Sequence, residues 1–144
     1  MSSILSSFRK AKKCKEERGW DRIYVAIDVH DTIWPGSYKE GQGQVGEFYR
    51  KAKECLQFMS NQSDIILIGY TCSLPADIQK IKEKLANVSI TFDYFNSNPE
   101  AKTTELACFD DKPYFNVLLD DKAGFTPSDW DVICTWLRTT WSEV

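Results

Sequence analysis

A mostly parallel α/β sandwich is the fold class that the sequence predicts, and three observations carry the prediction. Apolar runs of strand length alternate along the chain with stretches of helical period. One run, Ile65-Ile66-Leu67-Ile68, is apolar without alternation, as a strand buried on both faces is. Polar residues gather at the carboxyl ends of three of the strands, the edge on which α/β sheets bind ligands.

The first strand is expected over Arg22 to Val29, where Ile23-Tyr24-Val25-Ala26-Ile27 is β-branched and aromatic. Pro35, Gly36, Gly41 and Gly43 make residues 34–46 a loop or hairpin. Val45, Phe48, Ala52, Cys55, Leu56 and Met59 recur at helical spacing and predict an amphipathic helix over 45–60. Asp64 to Tyr70 is the second strand, and Pro75 opens a helix whose buried stripe is Ile78, Ile81 and Leu85. Val88 to Phe95 is expected as a third strand, 96–111 as a polar loop, and Tyr114 to Leu119 as a fourth strand. Thr126-Pro127-Ser128-Asp129 has the pattern of a helix cap with an acidic third residue, ahead of Trp130, Ile133, Cys134, Leu137 and Trp141. This alternation predicts a parallel sheet with helices on both faces.

At 144 residues and 42% hydrophobic content the chain can bury one core, so residues 21–144 are expected as a single domain. Residues 1–20, with Arg9, Lys10, Lys12, Lys13, Lys15 and Arg18 diluted by Glu16 and Glu17, read as a basic helix or extension, more a solvated face than a polyanion site. The five cysteines, odd in number and never at CxxC spacing, argue against a disulfide framework or zinc knuckle. Neither an apolar leader nor a membrane-length stretch is present, so a cytoplasmic setting is expected. A net charge of −3 offers no global attraction to nucleic acid.

The chemistry lies at the strand ends. The first strand ends in Asp28, His30, Asp31 and Thr32, the second in Thr71, Cys72 and Ser73, the fourth in Asp120 and Asp121. In a parallel sheet these ends share one edge, and carboxylates gathered there repel unless a hard divalent cation, Mg2+ above all, sits among them. Such a site suits phosphoryl transfer, with Asp28 as a carboxylate nucleophile, Thr71 bonding a phosphate oxygen and Lys112 balancing charge. Each residue has a plainer role open to it. Asp121-Lys122-Ala123-Gly124 also suits a turn, Thr71 a helix cap, and Lys102 and Lys122 compete with Lys112.

Taken in order, these motifs resemble those of the haloacid dehalogenase superfamily of phosphohydrolases. Asp28-Val29-His30-Asp31-Thr32 matches a strand followed by Asp-x-Asp-x-Thr except at His30; Ile65 to Thr71 matches an apolar strand ending in Thr or Ser. Lys112 stands for the lysine ahead of the last core strand, and Val117-Leu118-Leu119-Asp120-Asp121 for the strand ending in an acidic pair, so the likeness covers about residues 22 to 137. The resemblance implies a three-layer α/β/α Rossmann-like sandwich and a phosphatase in which Asp28 is nucleophile and Mg2+ ligand. It implies further ligands from the His30 main-chain carbonyl, Asp120 and Asp121, with Thr71, Cys72 and Lys112 around the phosphoryl group.

His30 replaces the acid that usually protonates the leaving group; imidazole suits that task at neutral pH, and Asp31 is the neighbouring substitute. Residues 33–46 and 87–111 leave room only for hairpins or loops in place of a cap domain, so an open site is expected. The resemblance implies that such a site serves substrates that close it themselves, such as polynucleotide ends or phosphoproteins, or relies on contacts in a homo-oligomer; the expected partner is a phosphorylated small molecule or a nucleic-acid end. Two other readings compete: a non-catalytic phosphate-binding module on the same fold, and a signalling receiver domain, suggested by Lys112-Pro113. Element order disfavours the receiver, because its lysine would follow the last functional strand instead of preceding Asp120-Asp121.

Overall fold

The computed structural model describes residues 3–36, 47–101 and 113–141. Four strands, β1 (Ile23–Ile27), β2 (Ile65–Gly69), β3 (Tyr94–Phe95) and β4 (Val117–Leu119), form an all-parallel sheet in the order β3-β2-β1-β4. The fold class is therefore α/β with a Rossmann-like sheet, as the sequence leads one to expect. Around the sheet lie α1 (Ser3–Arg18), α2 (Ala52–Ser60), α3 (Pro75–Ala86) and α4 (Asp129–Thr140). No helix among the described residues is long and apolar enough to cross a membrane.

One sheet face, Ile23, Val25, Ile27, Ile65, Leu67, Val117 and Leu119, shares a single hydrophobic cluster with the buried side chains of all four helices. The far face carries Tyr24, Ala26, Ile66, Ile68 and Leu118. Over it pass described parts of the return connection from β3 to β4: Glu100 accepts hydrogen bonds from Tyr24 and Tyr94, Tyr114 packs edge-on against Tyr24, and Phe115 against Tyr70. The middle of that connection, residues 102–112, lies outside the described residues, as do the loop residues 37–46.

α1 is part of the core. Ile4, Phe8 and Ala11 are buried, Phe8 meets Trp136 of α4, and the helix packs on β4, β1 and α4. Its basic side is partly neutralised by Lys12–Glu16, Lys13–Glu17 and Lys15–Asp64 ion pairs.

Among the elements shorter than their sequence patterns predict, α2, β3 and β4 each have a local reason. α2 starts at Ala52 instead of near 45 because Lys51 takes a left-handed conformation (φ 70°), while Tyr49 N–H donates to Ile33 O and Phe48 turns onto Trp34. β3 shrinks to two residues: Ser89 has φ 61°, and the Asp93 carboxylate, in place of a backbone carbonyl, accepts Leu67 N–H at 3.0 Å. At β4, Asn116 Oδ1 takes Tyr24 N–H at 2.8 Å, so regular pairing begins only at Val117. α4 begins beside the expected cap, where Asp129 Oδ2 accepts Thr126 N–H at 2.9 Å.

Gly69 closes β2 against the Phe95 ring, which is stacked on Phe92 and overlain by the Lys82 ammonium. A methyl group here would enter that ring, so Gly69→Ala is expected to cost about 1–3 kcal/mol by overpacking. A lowered denaturant midpoint with an unchanged slope is the expected result.

Candidate metal centre at the sheet switch point

From β1 the chain builds outward to β2 and β3, then returns to place β4 on the other side of β1. The carboxyl ends of β1 and β4 thus flank the point where strand order reverses, which is where α/β sheets open a crevice. Asp28 follows β1 directly and its N–H donates to Leu119 O at 2.8 Å, so the ladder itself fixes the first carboxylate beside the end of β4. Asp120 and Asp121 follow β4 directly.

The three half-buried carboxylates each place an oxygen within 4.8 Å of the others. Two Mg–O bonds of about 2.1 Å span at most about 4.2 Å, so small side-chain rotations bring the three to one ion. Oxygen-only donors on rigid strand ends are the chemistry of a hard divalent cation. The residues present therefore fit Mg2+.

Thr32, fully buried, ties the two halves together. Its hydroxyl lies 3.2 Å from Asp28 Oδ2 and 3.4 Å from Asp121 Oδ1, and its oxygen accepts Asp121 N–H at 3.2 Å. The Thr32 carbonyl in turn accepts the indole N–H of buried Trp130 at 2.7 Å, so α4 anchors the loop after β1. Asp120 braces the other side: its Oδ1 accepts Lys122 N–H at 2.9 Å as the chain turns through the 3-10 segment Asp121–Ala123 to left-handed Gly124.

Crowding of like charges is visible in Asp28. Burial, a hydrogen bond shared with Asp121 and the Asp120 charge push its carboxyl up to about 7, against an opposing hydrogen bond from Thr32. A carboxyl that holds its proton more tightly when folded lends stability that is full below its ordinary value of 3.8. That stability is lost as pH rises through about 7. Metal-free protein should therefore lose stability between about pH 4 and 7 through this group, and saturating Mg2+ should remove that slope. Denaturant melts across that range with and without the ion check it.

The other residues singled out in the sequence are placed as follows. Asp31, in a left-handed conformation (φ 64°), turns its carboxylate to Gly36 N–H at 2.8 Å, while its own N–H donates to Trp34 O at 2.7 Å. His30, half-buried, bridges to Trp34 at the backbone. Thr71 stands two residues beyond Gly69, which pairs with Ile27, so it shares the acidic edge; its hydroxyl bonds Ser73 at 2.8 Å and its N–H donates to Asn96 Oδ1 at 2.8 Å. Cys72 and Lys122 are exposed. Lys112 and its competitor Lys102 lie outside the described residues. The roles of Thr32 as bridge and Trp130 as anchor were not read from the sequence, where Trp130 is one member of a helical stripe.

Fold and site together define an α/β protein with a parallel sheet and an acidic cluster at its switch point. No family model and no curated protein matches the chain. Among solved structures, a conserved protein from Bacteroides thetaiotaomicron is similar, with a TM-score of 0.63 and 21% identity over 82% of this chain and 91% of its own. At that identity the likeness shows the fold alone.

Proposed function

We propose that the chain is a Mg2+-dependent phosphatase that hydrolyses phosphomonoesters through an aspartyl-phosphate on Asp28, as its resemblance to the haloacid dehalogenase superfamily implies. The observation that carries this reading is the convergence of Asp28, Asp120 and Asp121 at the switch point, where burial and the neighbouring acids push the Asp28 carboxyl up. Asp28, Asp120, Asp121 and the His30 carbonyl would hold the ion, which when bound offsets the negative charge of phosphate and carboxylates.

With the proton displaced from its carboxyl, an Asp28 oxygen attacks phosphorus as the bond to the leaving oxygen breaks. The His30 imidazolium gives that oxygen a proton, then as neutral imidazole takes one from the water that releases phosphate from Asp28. Thr71, Cys72 and Lys112 are assigned to the phosphoryl oxygens, by their places in the sequence.

The substrate is a phosphorylated small molecule or a nucleic-acid end reached without a cap domain, unless a second copy covers the site. Ion pairs along α1 leave less positive field for a polynucleotide than its sequence suggests, which favours the smaller substrate. Presence of His30 where an acid is usual gives a second reading its one support: a phosphate-binding module without turnover. Hydrolysis of p-nitrophenyl phosphate and a panel of nucleotide and sugar phosphates, with Mg2+ and then with EDTA, separates the two. Turnover that needs Mg2+ is expected, and none on any substrate would leave only the binding module.

A further inference from the structure

We propose that a cavity at the amino edge of the sheet, walled by Trp20, Tyr24 and Tyr114, binds a neutral nucleoside. The proposal does not rest on the phosphatase reading. The cavity measures about 430 Å³ and is lined also by Asp21, Arg22 and Asn116. Small-molecule sites occupy roughly 300–1,000 Å³. Residues 20–22 precede β1 and Asn116 precedes β4, whereas Asp28, Asp120 and Asp121 follow these strands. The chain from Arg22 to Asp28 is nearly all strand, which puts about 20 Å between the cavity and the acidic centre.

The walls are held in place before any ligand arrives. Past α1 the chain turns at left-handed Gly19 (φ 66°), and Trp20 N–H donates back to Lys15 O at 3.0 Å. The Arg18 guanidinium lies over the indole, 5.6 Å from its centroid. Tyr114 meets the Tyr24 ring edge-on at 5.8 Å, its hydroxyl accepts from Asn116 Nδ2 at 2.9 Å, and its carbonyl accepts from Nδ2 of buried Asn98 at 2.9 Å. Tyr24 donates its hydroxyl to Glu100 at 3.1 Å. Rings fixed in this way lose little freedom on binding.

The class of ligand follows from the lining. Aromatic side chains around an open space offer faces and edges to a flat ring, and stacking of this kind accepts any base. Charge is balanced among the described residues: Arg22 pairs with Glu100 at 3.0 Å, and Arg18 beside Trp20 is matched by Asp21. Phosphate therefore finds no surplus positive charge, which favours a neutral occupant. The Asp21 carboxylate is an acceptor, and the Asn116 amide carries a second N–H beyond the one given to Tyr114. Such a pair suits the hydroxyls and ring nitrogens of a nucleoside better than a plain hydrocarbon ring.

Calorimetric titration of the full chain with adenosine, guanosine, cytidine and uridine, without Mg2+, tests the proposal. At least one should bind once per chain with a dissociation constant below about 1 mM. Its 5′-monophosphate should bind no tighter, and ribose and phenol at least tenfold more weakly. Tyr114→Leu and Trp20→Leu each remove a ring and should weaken binding about tenfold or more. Tyr114→Phe, which keeps a ring, should retain it within about threefold, and Asp28→Asn should leave it unchanged. On the unaltered chain, an azido derivative of the bound nucleoside should photolabel the peptide holding Trp20 or the one holding Tyr114, and excess nucleoside should prevent the labelling. The proposal is overturned if none of the four nucleosides binds saturably, if phenol or the monophosphate binds more tightly than the nucleoside, or if labelling is confined to the carboxyl edge of the sheet.

Discussion

Asp28→Asn is expected to reduce Mg2+-dependent phosphatase turnover by about 10³-fold or more while leaving the protein folded. The amide keeps the shape of the side chain but cannot attack phosphorus. It also removes one negative charge from a cluster in which burial, a hydrogen bond with Asp121 and the Asp120 charge raise Asp28 to about 7. Hence the same substitution should stabilise the metal-free protein near pH 7.5, where the wild-type carboxylate is ionised beside Asp120 and Asp121. Loss of activity with gained stability separates a dismantled site from a damaged fold. Steady-state kinetics and denaturant melts on the same preparation read both, and unchanged turnover would remove Asp28 from the chemistry.

Trp130→Ala should have the largest effect on the fold. The side chain is fully buried, packs edge-on against Phe125, and holds the Thr32 carbonyl through its indole N–H. Emptying such a site costs about 3–5 kcal/mol, a large part of the roughly 5–15 kcal/mol that holds a domain together. Trp130→Phe isolates the polar share: most of the packing stays, but the Thr32 carbonyl loses its donor, at about 1–3 kcal/mol. Because Thr32 bridges Asp28 and Asp121, the Phe variant should also weaken Mg2+ binding. A Phe variant of wild-type stability and affinity would show that α4 does not anchor the acidic loop.

The sheet was legible in the sequence because β1 and β2 are continuous apolar runs, and their polar carboxyl ends marked the shared edge before any pairing was known. Element ends were less legible. Nothing in the pattern Val45, Phe48, Ala52 shows that Lys51 takes a left-handed conformation and delays α2, nor that the Asp93 side chain replaces a ladder carbonyl and cuts β3 short. In the site, the three carboxylates could be named from their strand ends, whereas the Thr32 bridge joins positions 89 apart in sequence and needs the fold to be seen. The lysine remained a choice among Lys102, Lys112 and Lys122 because a single charged side chain before a strand has no periodic signature; of these, only Lys122 is among the described residues.

Calorimetric titration of the metal-free chain with Mg2+ at pH 6.5, in two buffers of different ionisation enthalpy, bears most directly on the three-carboxylate site. One ion per chain should bind saturably and expel part of a proton, because the carboxyl at Asp28 is still partly protonated there. Binding should weaken at least tenfold in Asp120→Asn. Absence of saturable binding at millimolar Mg2+, or binding that releases no proton and ignores Asp120→Asn, would contradict the account.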